Sequence, residues 1–313
     1  MHRVALAFDL GGTALRAALV DAEGRVLAFH AVATRANDGP DAVVGQMGGL
    51  AAHVAAARPD LQPIGVGVAA AGPLDPEAGI VTDPPTLAGW RDVPLARMLE
   101  GLLSLPVRLE NDANAAALGE WRFGAGRGTR SMVFVTVSTG IGGGIIADGR
   151  LLRGRRGMAG EIGHMTIASE SPRCLCGQVG CFEALASGSA LGRRATAETA
   201  AGDGSMLRQL SSGGAVTGQQ VIEAARAGDG HGLDLVARQA RYLGIGFANL
   251  LHLYSPDIVV MGGGIANGFD VIAPTAAAVM RQRAMPAFRD VALVRAEIGE
   301  HAGLAGAASL VLT

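Results

Sequence analysis

Short apolar runs, each cut off by a glycine cluster or a carboxylate, recur along this chain and predict strands that end in tight turns. Val4–Leu10 reads as a buried strand, followed by Gly11-Gly12-Thr13 and a second strand at Arg16–Val20. Asp21–Gly24 turns the chain into a third strand near Val26–Val32. Residues 41–57 carry an alanine-rich helix, Pro63–Ala69 a strand, and Val93–Leu103 a short amphipathic helix. Val107–Leu109 is a strand that runs straight into Asn111-Asp112, and from Ala113 to Arg122 the period is helical again.

A similar cycle then restarts. Met132–Val137 is a strand, Thr139–Gly144 a glycine turn and Ile145–Ala147 the returning strand, closed by Asp148-Gly149-Arg150. The first half has the same order, which implies two related halves that each present a glycine hairpin. Helices follow near 182–198, 218–227, 232–254 and 269–283; the strand Asp257–Met261 precedes Gly262–Gly264, and Ala302–Leu312 closes the chain as a helix. Strands alternating with helices predict an α/β protein with mixed sheets, and a boundary near 115–130.

Composition narrows the chemistry. At 313 residues, 49% hydrophobic and 17% charged, the chain can build two cores and is not a disordered one. A net charge of −2 supplies no electrostatic reason to bind nucleic acid or an anionic membrane. All 26 basic residues are arginine. Without lysine there is neither a Schiff-base lysine nor a Walker-type phosphate loop. No apolar run approaches a membrane span, and Val4–Phe8 is too brief for a signal peptide.

The three cysteines, Cys174, Cys176 and Cys181, share one short window, and His164 lies ten positions upstream. Three thiolates and an imidazole complete a closed tetrahedral shell, which points to a structural zinc. No cysteine is left for a disulfide, so a reducing cytoplasm is expected. Glu161 and Glu183 flank this knot, either as solvated charges or, with His164, as partners for the hydroxyls of a polyol. A zinc-bound imidazole keeps its second ring nitrogen free to donate.

Asp9 with Gly11, Gly12 and Thr13 forms a strand-end turn whose amides can face a phosphate while the acid reaches a hydrated Mg²⁺. The alternative is an ordinary hairpin. Thr139 and Gly140 begin a second such turn, and Gly263 and Gly264 fall in a third, placed before a helix. Asn111-Asp112 is either a helix N-cap or, at Asp112, the base that takes a proton from a hydroxyl attacking a γ-phosphate.

Asp9-Leu-Gly-Gly-Thr13, Glu110-Asn-Asp-Ala-Asn114, Thr139-Gly-Ile-Gly-Gly-Gly144, Glu161-Ile-Gly-His164 and Cys174-Leu-Cys-Gly-Gln-Val-Gly-Cys-Phe-Glu183 together resemble the ROK family of repressors, open reading frames and sugar kinases. The resemblance implies an actin-like ATPase (ribonuclease H-like) fold, in which two α/β domains with mixed sheets close over ATP and a hexose. Residues 1–118, completed by the C-terminal helix 300–313, would form the first domain. Residues 119–299, with the zinc motif and nucleotide turns, would form the second, larger one. By the same resemblance Asp112 is the catalytic base, Gly72, Asn111, Glu161, His164 and Glu183 line the sugar, and His164 is also the zinc histidine. A homodimer is what the family suggests. Ala14 departs from the lysine of many members, with Arg16 nearby as a substitute; Thr86 stands where many glucokinases have asparagine.

Three activities are compatible with this pattern. They are a hexose kinase acting on the 6-hydroxyl of glucose, a kinase for N-acetylmannosamine or N-acetylglucosamine, and a sugar-responsive repressor. The repressor is disfavoured, because only eight residues precede Asp9 and no basic recognition segment is visible.

Overall fold

The computed structural model describes residues 3–170, 172–199, 206–212 and 214–312. Strands β1 (Val4–Leu10), β2 (Ala14–Asp21) and β3 (Val26–Ala33) open the chain. Next come α1 (Pro40–Ala57), β4 (Pro63–Ala70), the short β5 (Leu74–Asp75) and β6 (Ile80–Val81), α2 (Leu95–Leu103), β7 (Val107–Asn111) and α3 (Asp112–Phe123). The second cycle holds β8 (Met132–Val137), β9 (Ile141–Ala147), β10 (Arg150–Leu151), α4 (Phe182–Ala186), α5 (Gly188–Thr199), α6 (Met206–Leu210), α7 (Gly218–Arg226) and α8 (Gly230–Tyr254). It ends with β11 (Ile258–Gly262), α9 (Phe269–Arg283), β12 (Ala292–Arg295) and α10 (Ala302–Ser309).

The echo between the halves is a duplicated topology. One sheet has the order β3-β2-β1-β4-β7, the other β10-β9-β8-β11-β12. In each, the central strand pairs antiparallel with the returning hairpin strand and parallel with a later strand. The mixed α/β character expected from the sequence is therefore present.

Side-chain alternation stacks the layers. On β1, Leu6, Phe8 and Leu10 face a core shared with Met47 of α1 and Leu99 of α2. Ala5 and Ala7, on the opposite face, meet Leu304, Ala307 and Ala308 of α10. On β8, Val133, Val135 and Val137 join the largest core, with Phe182 and Phe247, while Met132 and Phe134 face Ala117 and Leu118 of α3. Thus α3 and α10 lie between the two sheets, and the other large helices cover the outer faces.

Those inner helices meet backbone to backbone. A Cβ on Gly306 would sit 1.6 Å from the Ala115 carbonyl oxygen, and one on Gly119 would sit 2.3 Å from that of Ala302. Gly67 of β4 is equally closed, 1.9 Å from the Ala307 oxygen.

Several expected elements differ in detail. The glycine turn foreseen at Thr139–Gly144 ends at Gly140, because Gly142, Gly143 and Gly144 belong to β9. Their lack of a side chain lets α3 and the next loop press on the strand: a Cβ on Gly144 would lie 2.4 Å from Ala117 Cβ, and one on Gly143 2.4 Å from Ile162 Cδ1. The helix expected over 182–198 breaks at Ser187, where the buried Gln239 side chain donates to the Ala186 and Ser187 carbonyls. Strands β5, β6 and β12 were not foreseen; they span two to four residues, too few to carry a period. Among the described residues no helix is long and apolar enough to cross a membrane.

The α3–α10 contact leaves no room to relax, so Gly306→Val should cost about 3 kcal/mol. That is expected to lower the midpoint of thermal unfolding by roughly 6 °C. An unchanged midpoint would mean that α10 does not rest on α3 in solution.

Candidate active site

The junction of β7 and α3 is built by Asn111, whose Oδ1 accepts from the backbone N–H groups of Ala113 (3.0 Å) and Asn114 (3.2 Å). The N-cap alternative is thus realised by Asn111, and it leaves the other end of the amide for a second task. Asn111 Nδ2 lies 3.2 Å from where a Cβ on Gly72 would stand, so the bare Gly72 backbone and this amide face each other.

Asp112 is the first residue of α3, and its Oδ1 accepts from Ala113 N–H at 2.8 Å. The helix dipole and that bond favour the charged carboxylate. They are outweighed. The residue is exposed to water, yet protein atoms crowd around the carboxylate itself. Desolvation, then the neighbouring charges of Asp9 and Glu161, push its pKa up to about 6. Asp9 is also raised by burial, although Arg16 Nη1 donates to its Oδ2 at 2.6 Å. Arg16, the stand-in for a lysine missing at Ala14, is therefore engaged with Asp9.

The segment bearing Glu161 and His164 runs beside the three cysteines. His164 Nε2 and Glu161 Oε2 are 4.0 Å apart, and His164 Nδ1 points the other way, 3.7 Å from Cys174 Sγ. Cys176 and Cys181 sulfurs are 3.6 Å apart, and the four donor atoms all lie within 4.8 Å of one another. Tetrahedral zinc would set sulfurs about 3.8 Å apart and sulfur about 3.6 Å from nitrogen, so this donor set fits the ion. Burial and the two neighbouring sulfurs push the Cys181 thiol up to about 12, so a thiolate there calls for a cation beside it, whereas a backbone hydrogen bond at Gln178 holds the Cys176 thiol below its usual range. The knuckle turns tightly at Gly180, where φ is +76° and a Cβ would strike the Ala168 carbonyl oxygen.

Glu183, at the start of α4, links this knuckle to the second glycine turn. Its Oε1 lies 3.7 Å from Cys174 Sγ, and its Oε2 accepts from Ile141 N–H at 3.0 Å. Gly140 passes directly over the carboxylate; a Cβ there would be 2.4 Å from Oε2.

On the far side of that turn opens a cleft of about 980 Å³, lined by Thr139 and Gly264 among others. Gly140 and Gly263 stand behind the lining. A Cβ on Gly263 would lie 2.5 Å from the Val137 oxygen, and the next amide, Gly264 N–H, is held by Ser138 Oγ at 3.1 Å. Sequence reasoning missed the other wall: Ser189, Gly192, Arg193 and Thr196 of α5 with Val216 and Thr217. Only the start of a helix after Glu183 hinted at it, and nothing in the pattern tied 189–196 to 216–217. The first turn follows β1 directly. Gly11 N–H donates to the Ala14 oxygen at 3.0 Å, closing an ordinary hairpin, and Gly12 lies against Thr86.

The ROK family model matches residues 5–313. The glucokinase of Streptomyces coelicolor is 38% identical over 312 residues, covering 96% of this chain and 95% of that protein. The N-acetylmannosamine kinase of Escherichia coli is 34% identical, covering 97% of each. A solved ROK family glucokinase from Streptomyces griseus, in complex with glucose and AMPPNP, superposes with a TM-score of 0.82 at 37% identity, over 98% of this chain and 99% of that one. The chain belongs to the ROK family. Its actin-like ATPase fold is shared with those sugar kinases.

Because the Asp112 carboxyl is raised when folded, the native state holds its proton more tightly, and stability falls as pH rises from about 4 through about 6. Asp112→Asn removes that loss. The variant should unfold at a higher temperature than the parent at pH 8, with the gap closing below pH 4. Equal midpoints at pH 8 would place the carboxylate in ordinary solvent.

Proposed function

We propose that this chain transfers the γ-phosphate of ATP to a hexose, with the 6-hydroxyl of glucose as its acceptor. The observation that carries this reading is the placement of Asp112 at the β7–α3 junction beside Asn111, where desolvation and the charges of Asp9 and Glu161 push its carboxyl up to about 6. A base of that pKa is ionised at neutral pH, yet basic enough to take the proton of an attacking hydroxyl. Resemblance to glucokinases along nearly the full length supports the same chemistry.

In this reading Asn111 Nδ2, the Gly72 backbone, Glu161, His164 Nε2 and Glu183 hold the sugar hydroxyls around Asp112. The cleft bounded by Thr139 and Gly264 receives the nucleotide, and the Ser138–Gly140 turn separates its phosphates from the sugar. Gly12 and Thr13 are the phosphate-facing part of the first turn, since Gly11 N–H is spent on Ala14. Asp9 would hold a hydrated Mg²⁺, which neutralises phosphate charge. His164, Cys174, Cys176 and Cys181 would hold a zinc ion whose part is structural, fixing His164 and the neighbouring Glu183. Residues 1–118 with 300–313, and residues 119–299, would close as two bodies over the substrates. A second copy of the chain completes the dimer.

Asp112→Asn should lower kcat by about 10³-fold while the sugar Kd stays within a few-fold. For the parent enzyme, kcat/KM should fall as pH drops through about 6, where the base is protonated. Turnover by the variant near the parent rate would remove Asp112 as the base. Coupled ADP release across glucose, mannose, fructose, N-acetylmannosamine and N-acetylglucosamine should rank glucose first. N-acetylmannosamine in that place would favour the reading suggested by the Escherichia coli relative.

Elemental analysis should find about one zinc per chain, and Cys176→Ser should raise the sugar KM far more than the ATP KM. Unaltered sugar affinity after complete zinc removal would contradict the scaffold role.

A further inference from the structure

Two residues before Asp112, the Glu110 side chain is fully buried, and the chemistry above has no task for it. Its Oε1 accepts from Asn111 N–H and from Asn114 Nδ2, each at 3.1 Å. Its Oε2 accepts from Arg153 Nε at 2.7 Å. Asn111 and Asn114 are the junction that presents Asp112. Arg153 belongs to the other half of the molecule, two residues beyond β10, at the root of the segment that reaches Glu161.

That segment is held from Arg153 onward. The Arg153 carbonyl accepts from Ala159 N–H at 2.9 Å, pinching residues 154–158 into a loop, and Gly160 carbonyl accepts from Ile162 N–H at 2.7 Å. A Cβ on Gly160 would stand 2.8 Å from the Gly143 oxygen and 3.6 Å from Asn114 Oδ1, so the two halves are in close contact there.

We propose that Glu110 and Arg153 are positioning residues, a pair that fixes the separation of Asp112 from Glu161 across the cleft. Glu110 is enclosed while Arg153 keeps 41% of its side-chain surface exposed, and such a pair adds little net stability, so its value here is directional. The guanidinium offers a rigid donor, and the carboxylate distributes that restraint to the strand end and the first turn of α3. Base and hydroxyl-holding acid are then set by one carboxylate. Misplacement of about 1 Å in such an arrangement costs on the order of 100-fold in rate.

This inference rests on the kinase reading, so sugar-dependent ADP release by the parent enzyme is measured first; its absence overturns both. Glu110→Gln, Arg153→Gln and Arg153→Lys are then compared, each assayed well below its own unfolding midpoint. The two glutamine variants should lower kcat for the sugar by about 100-fold with the ATP KM within twofold. Arg153→Lys, which keeps a cation beside Glu110, should recover at least tenfold of that loss. Should a single variant fail to fold, Glu110→Gln/Arg153→Gln serves, since it leaves no unpaired charge. Folded glutamine variants with kcat and sugar KM within twofold of the parent would overturn the proposal. So would a lysine variant no better than the glutamine one.

Discussion

The direct backbone contact between α3 and α10 is the constraint from which the site follows. The two helices fill the layer between the sheets, and glycine at 119 and 306 lets them approach without side chains between them. Asp112 is the first residue of α3, so the closeness of that packing sets where its carboxylate stands at the β7–α3 junction. The small side chains along the same helix, Ala113 and Ala117, let β9 come equally close from the other side. One helix thus transmits the position of both sheets to a single carboxyl group.

Electrostatics divides labour among residues that look alike in composition. Asp9 and Glu161 are acids within electrostatic reach of Asp112, and their charges together with desolvation keep Asp112 basic. Glu110 and Glu120 are also acids and fully buried, but each is held by donors: Glu110 by Arg153 and two asparagines, Glu120 by the N–H groups of Ala125, Glu297 and Ile298. The first group clusters around Asp112 and carries the chemistry proposed here. The second holds chain segments in place.

The cysteine knuckle reaches the acids through two intermediaries. Its sulfurs meet His164 Nδ1, which turns Nε2 toward Glu161, and Cys174 lies beside Glu183, which in turn receives Ile141 N–H from the second glycine turn. A cluster that lines neither Asp112 nor the cleft beside Thr139 therefore borders both the acids and the second glycine turn. That arrangement explains why acids and cysteines are interleaved in one short stretch of chain.

Much of this was legible in the residues themselves. Strand–turn–strand order foretold both sheets and their duplication, and the spacing of His164 and the cysteines foretold their convergence, because such signals are local: a period of two, a glycine pair, a ligand every few positions. Asn111 was legible only by halves, since an N-cap and a hydroxyl donor ask for the same residue. The glycines at 142–144 misled because a sequence does not say whether a missing side chain makes room for a ligand or for a helix. The wall formed by 189–196 and 216–217, the break at Ser187, and the pairing of Glu110 with Arg153 were decided by the tertiary structure alone. Each depends on groups distant in the chain being brought within a few ångströms, and only the packing of helices on sheets specifies that.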